Sequence, residues 1–142
     1  MRKPILMMSN TSNSWELVGE KVRANSYFNN TNGLHTVSVQ YTNFIGGFKL
    51  QGTLAHEPEE SDWFDIVLDG YNCPFNGSYI SYPKDQLAPN GLNSGDTGLD
   101  AFTFIGNFVY LRAVLYRDYI SDHPGSLEIE RYGIINKVLL SL

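Results

Sequence analysis

The residues able to do chemistry in this sequence are three histidines, one cysteine and a few acidic clusters. His35, His56 and His123 lie far apart, and none belongs to a His-x-x-x-His or Cys-His spacing. With Cys73 as the sole thiol, spacing nominates neither a thiolate–imidazole metal site nor a cysteine–histidine nucleophile pair. No Gly-x-Ser-x-Gly elbow singles out a serine. Asp62 and Asp65 bracket Trp63-Phe64, with Glu57, Glu59 and Glu60 just before them. Two carboxyls at a set separation beside an aromatic platform are what a glycosidase needs. Here the glutamates read as a solvated loop, and Asp62 as a turn residue whose carboxylate bonds nearby backbone N–H groups. The expectation is a chain with no catalytic residues, no metal site and no cofactor.

Asn93-Ser94-Gly95-Asp96-Thr97-Gly98-Leu99-Asp100 sets oxygen ligands at short intervals, a pattern able to hold Ca²⁺. It lacks the EF-hand spacing and reads as turn sequence. The aromatic content is more telling: 9 Tyr and 8 Phe, with Tyr27, Tyr71, Tyr79 and Tyr82 in or beside loops, where a protein partner docks or a sugar ring stacks. The candidate ligand or partner contacts are Trp15, Tyr79 and Tyr82 as platforms, with Asn93 and Asp96 bonding hydroxyls. Arg112, inside the apolar run from Val109 to Leu115, requires a carboxylate or several carbonyls around it, because a charge in a core strand is costly without a partner.

The elements that must position these residues are strands. At 142 residues with 42% hydrophobic content, the chain is sized for a single domain over 1–142. Ten basic against 15 acidic residues, a net charge of -5, disfavour nucleic-acid binding, which rests on clustered cations. No apolar run reaches the roughly 18 residues of a membrane-spanning helix. Residues 1–8 are too short for a signal-peptide core and read as a first strand. Asn10-Thr11-Ser12, Asn29-Asn30-Thr31 and Asn76-Gly77-Ser78 match the glycosylation pattern and read as turns.

Short β-branched and aromatic segments separated by Asn, Gly, Asp, Ser and Pro clusters predict an all-β sandwich or barrel, and apolar strands at both termini fit an antiparallel β-sandwich. From Leu34 to Thr42, Val37, Val39 and Tyr41 share an inward face, and Thr36, Ser38, Gln40 and Thr42 an outward one. Phe48, Leu50 and Leu54 point inward in the next segment, with Lys49, Gln51 and Thr53 outward, and Gly46-Gly47 is read as the turn of a hairpin. Residues 62–69 form a third strand anchored in the core by Trp63, and 77–82 a fourth ended by Pro83. Lys84 to Gly98 reads as a long surface loop. Ala101 to Tyr116 reads as two strands about a Gly106-Asn107 turn, at the centre of the core, and Gly133 to Leu140 as a buried last strand able to pair with the first.

Four segments in order, Phe48-Lys49-Leu50-Gln51-Gly52-Thr53-Leu54, Asp62-Trp63-Phe64-Asp65-Ile66, Phe104-Ile105-Gly106-Asn107-Phe108-Val109-Tyr110-Leu111-Arg112-Ala113 and Gly133-Ile134-Ile135-Asn136-Lys137-Val138-Leu139-Leu140, resemble virion structural proteins of contractile-tailed marine bacteriophages. The resemblance spans about residues 34 to 142. It implies a jelly-roll-like or galactose-binding-like β-sandwich serving as a structural, decoration, tail or attachment module. Such a module has no catalytic residues, works through contacts with other virion proteins, and is made in the bacterial cytoplasm. The expectation is a non-enzymatic homo-oligomer, with a carbohydrate-binding module of the same fold as the alternative.

Overall fold

The structure, a computed structural model, describes residues 3–9, 11, 16–29, 32–66, 68, 80–82, 96–116 and 133–142. Its strands are β1 (Ile5–Ser9), β2 (Glu16–Val18), β3 (Val22–Arg23), β4 (Leu34–Phe44), β5 (Gly46–Thr53), β6 (Phe64–Ile66), β7 (Ile80–Tyr82), β8 (Asp96–Ile105), β9 (Tyr110–Tyr116) and β10 (Ile134–Ser141). They form two antiparallel sheets, as the sequence predicts. The first runs β1-β10-β4-β8, and the second runs β2-β9-β5-β6, with β3 also on β9 and β7 also on β5. Among the described residues no helix is long and apolar enough to cross a membrane.

In β4 the alternation is carried through as read. His35, Val37, Val39 and Tyr41 are buried, whereas Leu34, Gln40 and Thr42 are exposed and Thr36 and Ser38 half-buried. Ile135, Val138 and Leu140 of β10 extend this face within the sheet, and buried Phe48 and Leu50 of β5 with Leu111, Ala113 and Leu115 of β9 meet it from the other layer. Complete burial of one such aliphatic or aromatic side chain contributes about 1.5–3 kcal/mol, so this interlayer contact dominates the stability. The first and last strands do pair, Ile5 opposite Leu140 and Leu6 opposite Leu139.

Several expectations are corrected. β4 and β5 are not a hairpin. The chain turns a corner at Ile45, and β5 enters the opposite sheet with Gly46 at φ 154°. Gly106 to Val109 is a second corner, carrying the chain from β8 in the first sheet to β9 in the second. Only β9 is therefore central: Leu111 to Leu115 are buried throughout, while β8 lies at a sheet edge with its odd-numbered side chains outward. The β5 alternation ends early, because Gly52 takes the inward place beneath Phe108, leaving Thr53 buried and Leu54 64% exposed. Trp63 is half-buried against a guanidinium rather than set in the core. The loop read over 84–98 ends sooner than expected, since Asp96 to Gly98 already belong to β8; residues 84–95, like Cys73 and His123, lie outside the described part.

Candidate functional site

Three groups of polar side chains were brought together by the fold, and each closes on itself. On the outer face of the second sheet, Lys49 Nζ lies 3.0 Å from Asp65 Oδ1, and Gln51 Nε2 donates to the same oxygen at 3.0 Å. Gln51 Oε1 accepts from Arg112 Nε at 2.8 Å, and the Arg112 Nη atoms donate to both Glu60 oxygens at 3.0 and 3.2 Å. Trp63 covers the guanidinium at 4.2 Å. Arg112 thus has the carboxylate its position demanded, supplied by Glu60 from the stretch read as a solvated loop. Asp62 behaves as read, accepting from the Glu59 backbone N–H at 2.8 Å. The Arg112 hydrogen bonds and charge hold the Glu60 carboxyl below its usual range. For Asp65 partial burial works upward, but the hydrogen bonds of Gln51 and Lys49 and the lysine charge outweigh it, and its pKa is lowered. The network fastens the 54–63 connection onto the sheet; an anion would find the Arg112 fork already filled.

His35 was not singled out for this role, although its place in the inward parity of β4 foretold burial. It is fully buried, stacked on Phe104 with ring centroids 5.1 Å apart. Nδ1 lies 2.8 Å from the Gly33 carbonyl, and Nε2 accepts from the Asn25 backbone N–H at 3.3 Å. This arrangement needs the neutral Nδ1–H tautomer, because a proton on Nε2 would point at another donor. Burial lowers the His35 pKa from 6.5, with the Gly33 carbonyl pulling the other way. A histidine with a depressed folded pKa gives its full stabilisation above the unfolded value, and loses it as pH falls through the folded one. Acidification below about pH 6.5 is therefore expected to lower the urea midpoint, and His35→Gln to flatten that dependence; equal slopes in the two proteins would refute the assignment.

The third group joins the layers: Tyr41 of β4 and Tyr82 of β7 both donate to Asp100 Oδ2 of β8, at 3.0 and 2.8 Å. Tyr82 is 2% exposed, packed on Tyr41 and Phe44 with centroids 4.4 and 5.7 Å away. It is a core residue and not the exposed platform expected of it. Asp96 opens β8 opposite Phe44, so that Asp96 to Asp100 form strand rather than a calcium loop. Trp15, Tyr79 and Asn93 lie outside the described residues. Among the described residues no cluster of three His, Cys, Asp or Glu side chains is gathered as a metal would require.

What remains open to solvent is the first sheet. Its outward cross-strand pairs Leu34–Ile105, Thr36–Thr103, Ser38–Ala101 and Gln40–Leu99 carry no charge. On the other side of β4, Ser38 faces Leu139 and Thr36 faces Ser141. Among the described outward side chains of this sheet Lys137 is the one charge, in a chain of net charge -5. Leu99 and Ile105 are 66% and 77% exposed. Between β8 and β6 the sandwich leaves a groove of about 420 Å³ walled by Phe64, Ile66, Thr103 and Ile105, with Phe104 and Phe108 also lining it. The described residues define a two-layer β-sandwich with a charge-poor outer face and a long strand, β8, at the edge of the first sheet. Comparison with protein-family models, with curated proteins and with solved structures finds no match to the chain.

Proposed function

We propose that this chain is a non-enzymatic virion structural module of the bacteriophage type, working through protein–protein contacts as a homo-oligomer and with other virion proteins. The observation that carries the contact reading is the charge-poor outer face of the first sheet, where Lys137 is the one charge among the described outward side chains. A surface with no role in docking gains solubility from charge, and depletion of charge marks the core of interfaces. The opposite sheet bears Lys49, Asp65, Glu60 and Arg112 outside, so the asymmetry belongs to one face and not to the composition as a whole.

The strand order supports the jelly-roll-like reading. β2 and β3 lie in line along β9, and β6 and β7 in line along β5, so each sheet has four lanes. In chain order the lanes alternate between sheets except at the β5–β6 step, as expected of a double Greek key rolled into two layers. The phage setting, and synthesis in bacterial cytoplasm, rest on the resemblance of the four segments.

Light scattering across a concentration series tests the contact reading. A discrete closed oligomer is expected; a chain that stays monomeric at every concentration and binds no virion protein overturns it. A rise in melting temperature on adding a glycan would instead favour the carbohydrate-binding alternative, with the Phe64-lined groove as its place.

A further inference from the structure

The four edges of the two sheets are not alike. β1 has 5 residues and a bulge between Leu6 and Met8. The β2–β3 edge is broken into pieces of 3 and 2 residues, and the β6–β7 edge into pieces of 3 and 3. Short, bulged or interrupted edges are how proteins keep sheets from pairing with one another. β8 is neither short nor interrupted; its one register shift lies at its start, between Asp96 and Gly98, and its inward-pointing charge, Asp100, is engaged within the chain. It has 10 residues, and from Gly98 to Ile105 it runs in unbroken register along β4. Thr97 to Ile105 contains no proline, lysine or arginine, and its sole charge, Asp100, accepts hydrogen bonds from Tyr41 and Tyr82. Among the described residues no strand lies on the far side of β8.

We propose that two copies of this chain pair edge to edge through β8, antiparallel, with Ala101 at the two-fold axis. The four strands of each first sheet then form one continuous sheet. The inference rests on the contact reading above and names its surface and occupant. The argument for a second copy is that β8 is complementary to itself in one register. Opposite residues of antiparallel strands share a face, so outward odd positions must meet odd positions. With Ala101 on Ala101, Leu99 faces Thr103 and Thr97 faces Ile105 on the outer side, extending the charge-poor face. On the inner side Gly98 faces Phe104 and Asp100 faces Phe102, so a large ring lies over the glycine and no like charges meet. Centring the pair on residue 100 sets Asp100 against its own copy, which is unfavourable. Centring it on 102 opposes Phe102 to itself and shortens the overlap. A two-fold pairing of this kind closes on itself and stops at a dimer.

The test uses the full chain and two variants at outward, exposed positions of β8. Leu99→Lys with Thr103→Lys puts lysine opposite lysine twice across the axis. It is expected to weaken the dimer about a hundredfold or more in sedimentation equilibrium, while the monomer stays folded and loses only the exposed Thr36–Thr103 hydroxyl contact, a loss the mixed variant shares. Leu99→Lys with Thr103→Glu puts each lysine opposite a glutamate and is expected to restore the dimer. Restoration of pairing by the mixed variant is the result that a general surface effect would not give. A dimer indifferent to both variants overturns edge pairing and leaves the contact reading standing on another surface. A double-lysine monomer that the mixed variant fails to rescue overturns the register. A wild-type chain that is monomeric throughout overturns the inference, and binding to a virion protein in that run then decides the contact reading separately.

Discussion

Gly133→Ala is expected to destabilise the protein by about 3 kcal/mol or more, the range reached when a substitution forces backbone to move. Gly133 sits at φ 70°, in the left-handed region, immediately before β10. An added Cβ would lie 2.0 Å from the Asn43 carbonyl oxygen, 2.3 Å from its carbon and 2.4 Å from the Thr42 oxygen. These are backbone atoms, and β4 holds them in place: Tyr41 is paired with Ile135 on one side and Gly98 on the other. Asn43 is itself left-handed at φ 50°, so the close approach uses two unusual conformations at once. The left-handed conformation alone costs an alanine about 1–2 kcal/mol, and the clash adds to that. Gly98→Ala is the control. Its Cβ would meet the Tyr41 hydroxyl at 3.4 Å, an ordinary contact, so the expected change is a gain of up to about 1 kcal/mol, the Gly-to-Ala scale within a strand. Urea unfolding of the three proteins reads the difference; equal midpoints for Gly133→Ala and the wild type would show that the junction yields.

Gly133 also shows how far the sequence reading reached. It was placed at the start of the last strand, which is correct, but nothing local in Gly133-Ile134-Ile135 says that the carbonyls of Thr42 and Asn43 will lie against its Cα. Alternation tells which face of a strand is inward and is silent about which sheet the strand joins. That is why Val37, Val39 and Tyr41 were placed on the inward face correctly, while β4 and β5 were joined as a hairpin that the corner at Ile45 and Gly46 rules out. The outward set Thr36, Ser38, Gln40 and Thr42 was equally legible, and it is half of the charge-poor face. The other half, on β8, was hidden because Asn93 to Asp100 has the composition of a turn. β8 begins inside that stretch because its pairing with β4 outweighs weak local propensity. The burial of Tyr82 is hidden in the sequence for a related reason. A strand of 3 residues has too short a period to show parity, and tyrosine suits both a core with an acceptor and a wet surface. Arg112 is the opposite case: one charge within an apolar run carries a demand for a partner that no packing detail can cancel, and Glu60 meets it.

Asp100→Ala is expected to cost about 3 kcal/mol, because it removes one acceptor from two buried hydroxyls at once, each hydrogen bond to a charged group contributing about 1.5–3 kcal/mol. Tyr41 and Tyr82 are 4% and 2% exposed, and Asp100 Oδ2 receives both of their hydroxyls. Tyr82 comes from the second sheet and Tyr41 from the first, so the carboxylate ties the layers together at the edge strand. Asp100→Asn keeps an oxygen able to accept and is expected to lose about half as much, the difference between charged and neutral acceptors. Tyr82→Phe removes one donor and keeps the bond from Tyr41 to Asp100, for an expected loss of about 1 kcal/mol. In the double variant of Tyr82→Phe and Asp100→Ala the losses should fall short of the sum, since the second change removes an interaction that the first has already broken. Additive losses in urea unfolding would show that the two side chains act independently. The cluster bears on association as well. The Asp100 charge is turned inward and bonded by two hydroxyls, which leaves Thr97 to Ile105 uncharged outward and, from Gly98 on, in unbroken register. Asp100→Ala removes that charge altogether, so pairing through the edge should persist in it wherever the monomer stays folded, and Tyr82→Phe, which keeps the bond from Tyr41, should pair nearly as the wild type does.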